Sequence, residues 1–228
     1  KFVRCGILPV RNFNNTVAEI KRIAGMGFTA AMLPSLIEPQ SGLPSYNDAA
    51  WDQVWEAGQE YGIVFVLHTG TGREDVRAQK GPGGATINYT IQMCDGSHSI
   101  MHMVAGGGLD RFPGAKVACI ESGASWLAAL AERMDEVNEA HHMFVRPKLS
   151  LTPRELIARQ VSCSFQYDRA CIMSRSVTGT RALMWGSDYP HHEGTFPRSK
   201  DVVAHLFDGI DITEKEKADI LGGNAARL

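Results

Sequence analysis

Apolar residues fall into six short runs along the chain, and turn-forming or helically spaced segments follow each of them. The first run, FVRCGILPV (2–10), is almost continuously apolar, the pattern of a strand covered on both faces. The others are FTAAMLPS (28–35), IVFVLH (63–68), AKVACIESG (115–123), QVSCSFQYD (160–168) and ALMWGSD (182–188). Between them the apolar positions take helical spacing. NNTVAEIKRIAGMG sets Val17, Ile20, Ile23 and Ala24 on one side, with Asn15 or Thr16 as cap and Gly25 or Gly27 as stop. AAWDQVWEAGQEYG (49–62) does the same with Trp51, Val54, Trp55 and Gly58. Further helices are predicted over 88–109, 125–143, 169–179, 199–208 and the C-terminal TEKEKADILGGNAARL.

Six β-then-α units predict an α/β fold with a parallel sheet, built as one domain over residues 1–228. A doubly wound sheet and a (β/α)8 TIM-type barrel both satisfy that string. TGTGREDVRAQKGPGGA, after the third run, is a long polar, glycine-rich loop, and in a compact domain such loops are more often functional than idle.

Composition narrows the function classes. A net charge of −2 without a basic run gives no footprint for nucleic acid. The apolar stretches are interrupted too soon to span a bilayer. The five cysteines, Cys5, Cys94, Cys119, Cys163 and Cys171, are odd in number and lack C-x-x-C spacing. They predict neither a disulfide framework nor a cysteine zinc site, and they suit a reducing compartment. KFVRCGILPV lacks the pattern of a secretory leader, so a cytoplasmic location is expected. The chain opens on Lys1, directly in a strand-like run, and the expectation is a fragment of a longer enzyme.

The polar residues of interest lie at the carboxyl ends of the runs: His68, Glu121, Asp168 and Asp188. In parallel α/β folds the ligand site lies at those ends, and a barrel gathers them around one centre. Imidazole and carboxylate together suit a divalent metal. Each residue also has a plainer reading. His68 fits a packed core histidine, or an anion-binding glycine loop with the TGTG that follows. Asp188 fits an Asx turn before Pro190, and Glu121 fits a strand-end acid paired with an arginine. Of His191 and His192, at most one is expected to face inward. Arg73 and Arg77 suit a substrate carboxylate or plain solvation. His98, His102, His141, His142 and His205 lie in helical stretches and are expected on surfaces or in packing.

HTGTG, GPGGATINY, GGGLDRFPGAKVACIESGASWL, LMWGSDYPHHEGTFP and the final LGGNAARL resemble the amidohydrolase-related branch of the amidohydrolase superfamily. That branch includes aminocarboxymuconate-semialdehyde decarboxylase and related decarboxylases and hydrolases. The resemblance covers essentially the whole chain and implies a distorted (β/α)8 barrel with one divalent metal, zinc first, at its C-terminal mouth. It implies metal binding by His68 and Asp188, with proton transfer also by Asp188. Glu121 and His191 or His192 would orient substrate or shuttle protons, and Arg73, Arg77, His192 and Glu193 would line the substrate.

Two departures stand out. Glu121 occupies a position where the branch's decarboxylases carry a catalytic histidine. The metal-binding acid-x-His or His-x-His pair of the first barrel strand has no counterpart before residue 63. If FVRCGILPV is the third barrel strand, six of the eight units are present. The expected activity is metal-dependent hydrolysis of a small, carboxylated or aromatic-derived molecule through activated water. Non-oxidative decarboxylation is the alternative, and a non-catalytic binding module the third. Open sheet edges imply association, with a homodimer expected.

Overall fold

The computed structural model describes residues 3–228. Its six strands are β1 (Cys5–Ile7), β2 (Ala30–Leu33), β3 (Val64–His68), β4 (Lys116–Ile120), β5 (Val161–Phe165) and β6 (Leu183–Trp185). All neighbours are parallel and the sheet order is the chain order, β1 to β6. That is the order of consecutive units in a (β/α)8 barrel. Among the described residues β1 and β6 do not pair with each other, so the sheet is an open arc of six units.

The helices follow their strands: α1 (Phe13–Gly25), α2 (Asp52–Tyr61), α3 (Gly84–Ala105), α4 (Gly108–Arg111), α5 (Trp126–Ala140), α6 (Pro153–Gln160), α7 (Arg169–Met173), α8 (Arg175–Thr178), α9 (Ser199–Phe207), α10 (Glu214–Ala218) and α11 (Asn224–Arg227). No helix among the described residues is long and apolar enough to cross a membrane.

The main core lies between the outer face of the sheet and the helices, where Trp51, Trp55, Phe65 and Phe165 are fully buried. Trp55 meets Phe65 edge to face at 5.2 Å, a favoured aromatic geometry. Gly58 lets the two elements approach, since a Cβ there would stand 2.3 Å from the Phe65 ring. On the inner face Val64, Ala118 and Met184 form a smaller cluster, with Ile120 and Leu228 packed on it. The LGGNAARL segment is anchored by Asn224, whose amide donates at 2.8 Å to the carbonyls of Thr180 and Leu183.

Several expectations are corrected. Phe2 lies outside the described residues, and β1 is a three-residue edge strand with Ile7 76% exposed, because only β2 pairs with it. The cap of α1 is Asn12, whose side chain accepts from the Asn15 backbone N–H, while Thr16 is buried and donates to Pro9. The 88–109 helix begins at Gly84 and breaks at Gly107, whose φ of +75° ends α3 and starts α4. The 169–179 helix is divided at Ser174, and a π turn (Asp219–Gly223) separates α10 from α11. Helix α6 was not anticipated, although LTPRE carries its signal. Thr152 and Glu155 form a reciprocal capping box with Pro153 in the first turn.

Candidate active site

Four strands deliver polar groups to one mouth. His68 is the last residue of β3, Glu121 directly follows β4, and Asp188 lies three residues beyond β6. Asp168, three residues beyond β5, is close by in the fold but does different work.

His68 is held from behind. Its Nδ1–H donates to the Thr69 carbonyl at 3.0 Å, which leaves Nε2 as the free lone pair. Thr71 donates its hydroxyl to the His68 carbonyl at 2.7 Å and accepts the Ser35 N–H at 2.9 Å, tying the HTGTG turn to the end of β2. His68 Nε2 faces Glu121 Oε2 at 3.4 Å. Two lone-pair atoms in that relation need a proton or a cation between them.

Glu121 and Asp188 are both partly buried, their side chains 16% and 6% exposed. They are the only non-glycine residues with positive φ among the described residues, at +59° and +54°. Strained backbone of this kind survives where its surroundings over-determine it, and it concentrates at functional sites. His191, 62% exposed, folds back over Asp188: its N–H donates to the Asp188 carbonyl at 2.9 Å, and its Nδ1 is 2.9 Å from Asp188 Oδ1. The same Nδ1 is 3.8 Å from Glu121 Oε1.

The charges are unbalanced. Burial, and then the hydrogen bond and charge of Asp188, push the Glu121 carboxyl up to about 7. The His191 imidazole is also raised, chiefly by its hydrogen bond to Asp188. Asp188 Oδ2 is buried without a hydrogen-bond partner. A shared proton or a cation supplies what that oxygen lacks. Glu121, Asp188 and His191 each place one ligand atom within 4.8 Å of the others, with His68 beside them. One or two imidazoles with two carboxylates is a donor set that divalent metals accept, so these residues fit a metal.

A cavity of 360 Å³ opens beside Glu121, walled by Tyr89, Met93, Phe165 and Tyr167 and reached by Glu193. The tyrosines of this wall were not anticipated from sequence, because Tyr89 comes from α3 and Tyr167 from the segment after β5. His192 is exposed.

The two loop arginines lie apart from this cavity. Arg73 does not face this cavity: it forms a two-pronged ion pair with Asp95 at 2.7 and 2.5 Å, and Asp95 is 2% exposed. Arg77 lines a separate cavity with Lys80 and Gln79, sharing only Tyr89 and Gln92 with the first. Asp168 is committed to backbone, accepting from Ala124 and Ser125 at 2.8 and 2.7 Å and from Cys171 at 3.2 Å.

A parallel βα array carrying its polar groups at one mouth is the architecture of the (β/α)8-barrel enzymes. More particularly, the chain matches the family described as amidohydrolase over residues 1–228 and belongs to it. No curated protein matches it. Among solved structures it is similar to an amidohydrolase from Mycobacterium avium subsp. paratuberculosis K-10, at 20% identity and TM-score 0.80, covering 97% of this chain and 56% of that one. It is similar to 5-carboxyvanillate decarboxylase from Sphingomonas paucimobilis, at 24% identity and TM-score 0.77, over 100% and 66%. A dihydroxybenzoic acid decarboxylase from Polaromonas sp. JS666, solved with manganese and an inhibitor, gives 18% identity and TM-score 0.70 over 96% and 66%. The chain thus spans 56% to 66% of the length of these structures.

Proposed function

We propose that this chain carries the site of a metal-dependent, non-oxidative decarboxylase acting on a small aromatic carboxylic acid. The observation that carries the reading is the cavity with Tyr89 and Tyr167 in its wall, set directly beside the Glu121–Asp188–His191 cluster. The decarboxylases of aromatic acids among the similar structures support it over the hydrolysis put first from sequence.

His68, Glu121 and Asp188, the more buried donors, would hold the cation. When bound, it supplies positive charge that binds and polarises the substrate's oxygen atoms. Two carboxylates to one imidazole favour a hard ion such as manganese over the zinc expected from sequence. The ring would pack against Tyr89 and Tyr167, which orients its carboxylate and sheds water from it.

His191, exposed to solvent and aligned by Asp188, would carry protons. As imidazolium it delivers a proton to the ring carbon bearing the carboxylate. The carbon–carbon bond then breaks, its electron pair restores the ring, and carbon dioxide leaves. Solvent reprotonates His191, so one carboxylate and one proton become one arene and one carbon dioxide. Glu193 and His192, on the same loop, contact the substrate edge, and Arg77 meets a distal anionic group. The exposed edge of β1 would be covered by pairing in a homodimer, and five free cysteines suit the cytoplasm.

The test is to load the protein with manganese or zinc and offer hydroxylated benzoates in water enriched in oxygen-18. Carbon dioxide release, with a product lacking the label, supports decarboxylation. Labelled product from an amide, ester or lactone without carbon dioxide would move the assignment to hydrolysis. A chain that binds no metal returns the non-catalytic reading.

A further inference from the structure

Strand β5 contributes no donor to the metal-type cluster, yet two of its residues or their neighbours reach the turn that carries Glu121. That turn, 121–126, is bonded at both ends. The Glu121 N–H donates to the Ser164 hydroxyl at 3.0 Å. The N–H groups of Ala124 and Ser125 both donate to Asp168 Oδ2. Trp126 donates its indole N–H back to the carbonyls of Ser122 and Gly123, at 3.0 and 3.2 Å. Gly123 has φ +63°, and a Cβ there would stand 3.2 Å from Asp168 Oδ2, so the carboxylate sits close under the turn.

We propose that Ser164 and Asp168 are positioning residues that hold Glu121 in its strained conformation and so aim its carboxylate at the site. The inference rests on Glu121 being a metal-binding residue, as proposed above. Its physical basis is that a non-glycine residue at φ +59° relaxes unless neighbouring bonds fix it. Ser164 is in register with Met184, which packs on the inner face, so its hydroxyl lies on the side of the sheet that faces the mouth. It is the sole acceptor shown for the Glu121 N–H. Asp168 braces the far end of the turn and places a negative charge at the start of α5, where the helix dipole favours it. Removing either group frees one end of the turn while leaving the sheet and the metal-type donors intact, the behaviour of a supporting shell around a ligand.

The experiment uses the whole chain, with manganese(II) alone as the probe. Amide hydrogen exchange by NMR and manganese affinity are measured for the parent, Ser164→Ala, Ser164→Thr and Asp168→Ala. Ser164→Ala is expected to speed exchange at Glu121 at least tenfold and to weaken manganese at least fivefold, with little change in melting temperature. Ser164→Thr, which keeps the hydroxyl, restores both. Asp168→Ala speeds exchange at Ala124 and Ser125, and if it does not fold, Asp168→Asn, which keeps one acceptor oxygen, takes its place. Unchanged exchange at Glu121 in Ser164→Ala overturns the proposal, as does manganese affinity lost equally in Ser164→Thr. A parent that binds no manganese removes the metal-binding reading of Glu121 instead, and the exchange data then decide the positioning role alone.

Discussion

Glu121 and Asp188 come from separate strands, share the same unusual left-handed backbone, and present their carboxylates to each other in a mostly buried site. Like charges so placed oppose folding unless a proton or a cation lies between them. The first prediction follows from that opposition. Asp188→Asn replaces an orphaned carboxylate oxygen with an amide that can donate to Glu121. The metal-free variant should be more stable than the parent by about 1–2 kcal/mol, while manganese should no longer raise its melting temperature. Thermal melts with and without the ion check both. A variant less stable than the metal-free parent would show that Asp188 is a structural turn residue.

The raised Glu121 carboxyl predicts the pH dependence of the metal-free chain. Glu121 binds more protons folded than unfolded between its ordinary value, 4.5, and about 7. Stability therefore falls as pH rises through that window, by at most about 3 kcal/mol. His191 acts in the same direction, since its raised value confers stability below its ordinary 6.5 that is lost as pH climbs past its folded value. Glu121→Gln should flatten most of the slope in denaturant unfolding measured from pH 5 to 8. An unaltered slope would place the titrating group elsewhere.

Metal binding should show the opposite pH trend. The ion must displace the Glu121 proton, so manganese affinity is expected to rise up to about tenfold per pH unit below 7 and to level off above it. Isothermal titration at several pH values tests this, and a pH-independent affinity would mean that Glu121 is not among the ligands.

Arg73 is predicted to matter for folding rather than for substrate. Arg73→Ala leaves Asp95 buried and unpaired, at a cost of about 3 kcal/mol or more and roughly 10 °C in melting temperature. The Michaelis constant for an aromatic acid should barely move. A large rise in that constant with unchanged stability would return Arg73 to the substrate.

Gly72 should be intolerant of any side chain. Its φ is +85°, and a Cβ would stand 2.0 Å from the Leu36 carbonyl oxygen. Gly72→Ala is expected to cost more than about 2 kcal/mol and to loosen the HTGTG turn behind His68. Denaturant unfolding gives the cost directly, and near-parent stability would show that the loop re-forms around the methyl group.

The sequence by itself determined the architecture and showed which strand ends carry polar residues. Continuous apolar runs such as IVFVLH admit few structures other than covered parallel strands, and six of them alternating with helices leave only a barrel-like or doubly wound sheet. His68, Glu121 and Asp188 were legible because each follows an apolar run abruptly, and strand ends are where parallel folds keep their sites. Helix α6 was legible too, in the T-P-R-E of Thr152 to Glu155, but no long apolar stripe drew attention to its eight residues.

Only the tertiary structure decided which polar residues meet. Arg73 and Asp95 are 22 positions apart, and nothing in local spacing reveals that the arginine is already neutralised. Asp168 looks like Asp188 in sequence, each three residues beyond a strand, yet one accepts three backbone N–H groups and the other faces Glu121. The difference is physical: local pattern reports which face of a strand or helix a residue takes. Where its charge finds a partner depends on loops that cross between strands, and those distances exist only once the sheet has curved and the helices have packed against it.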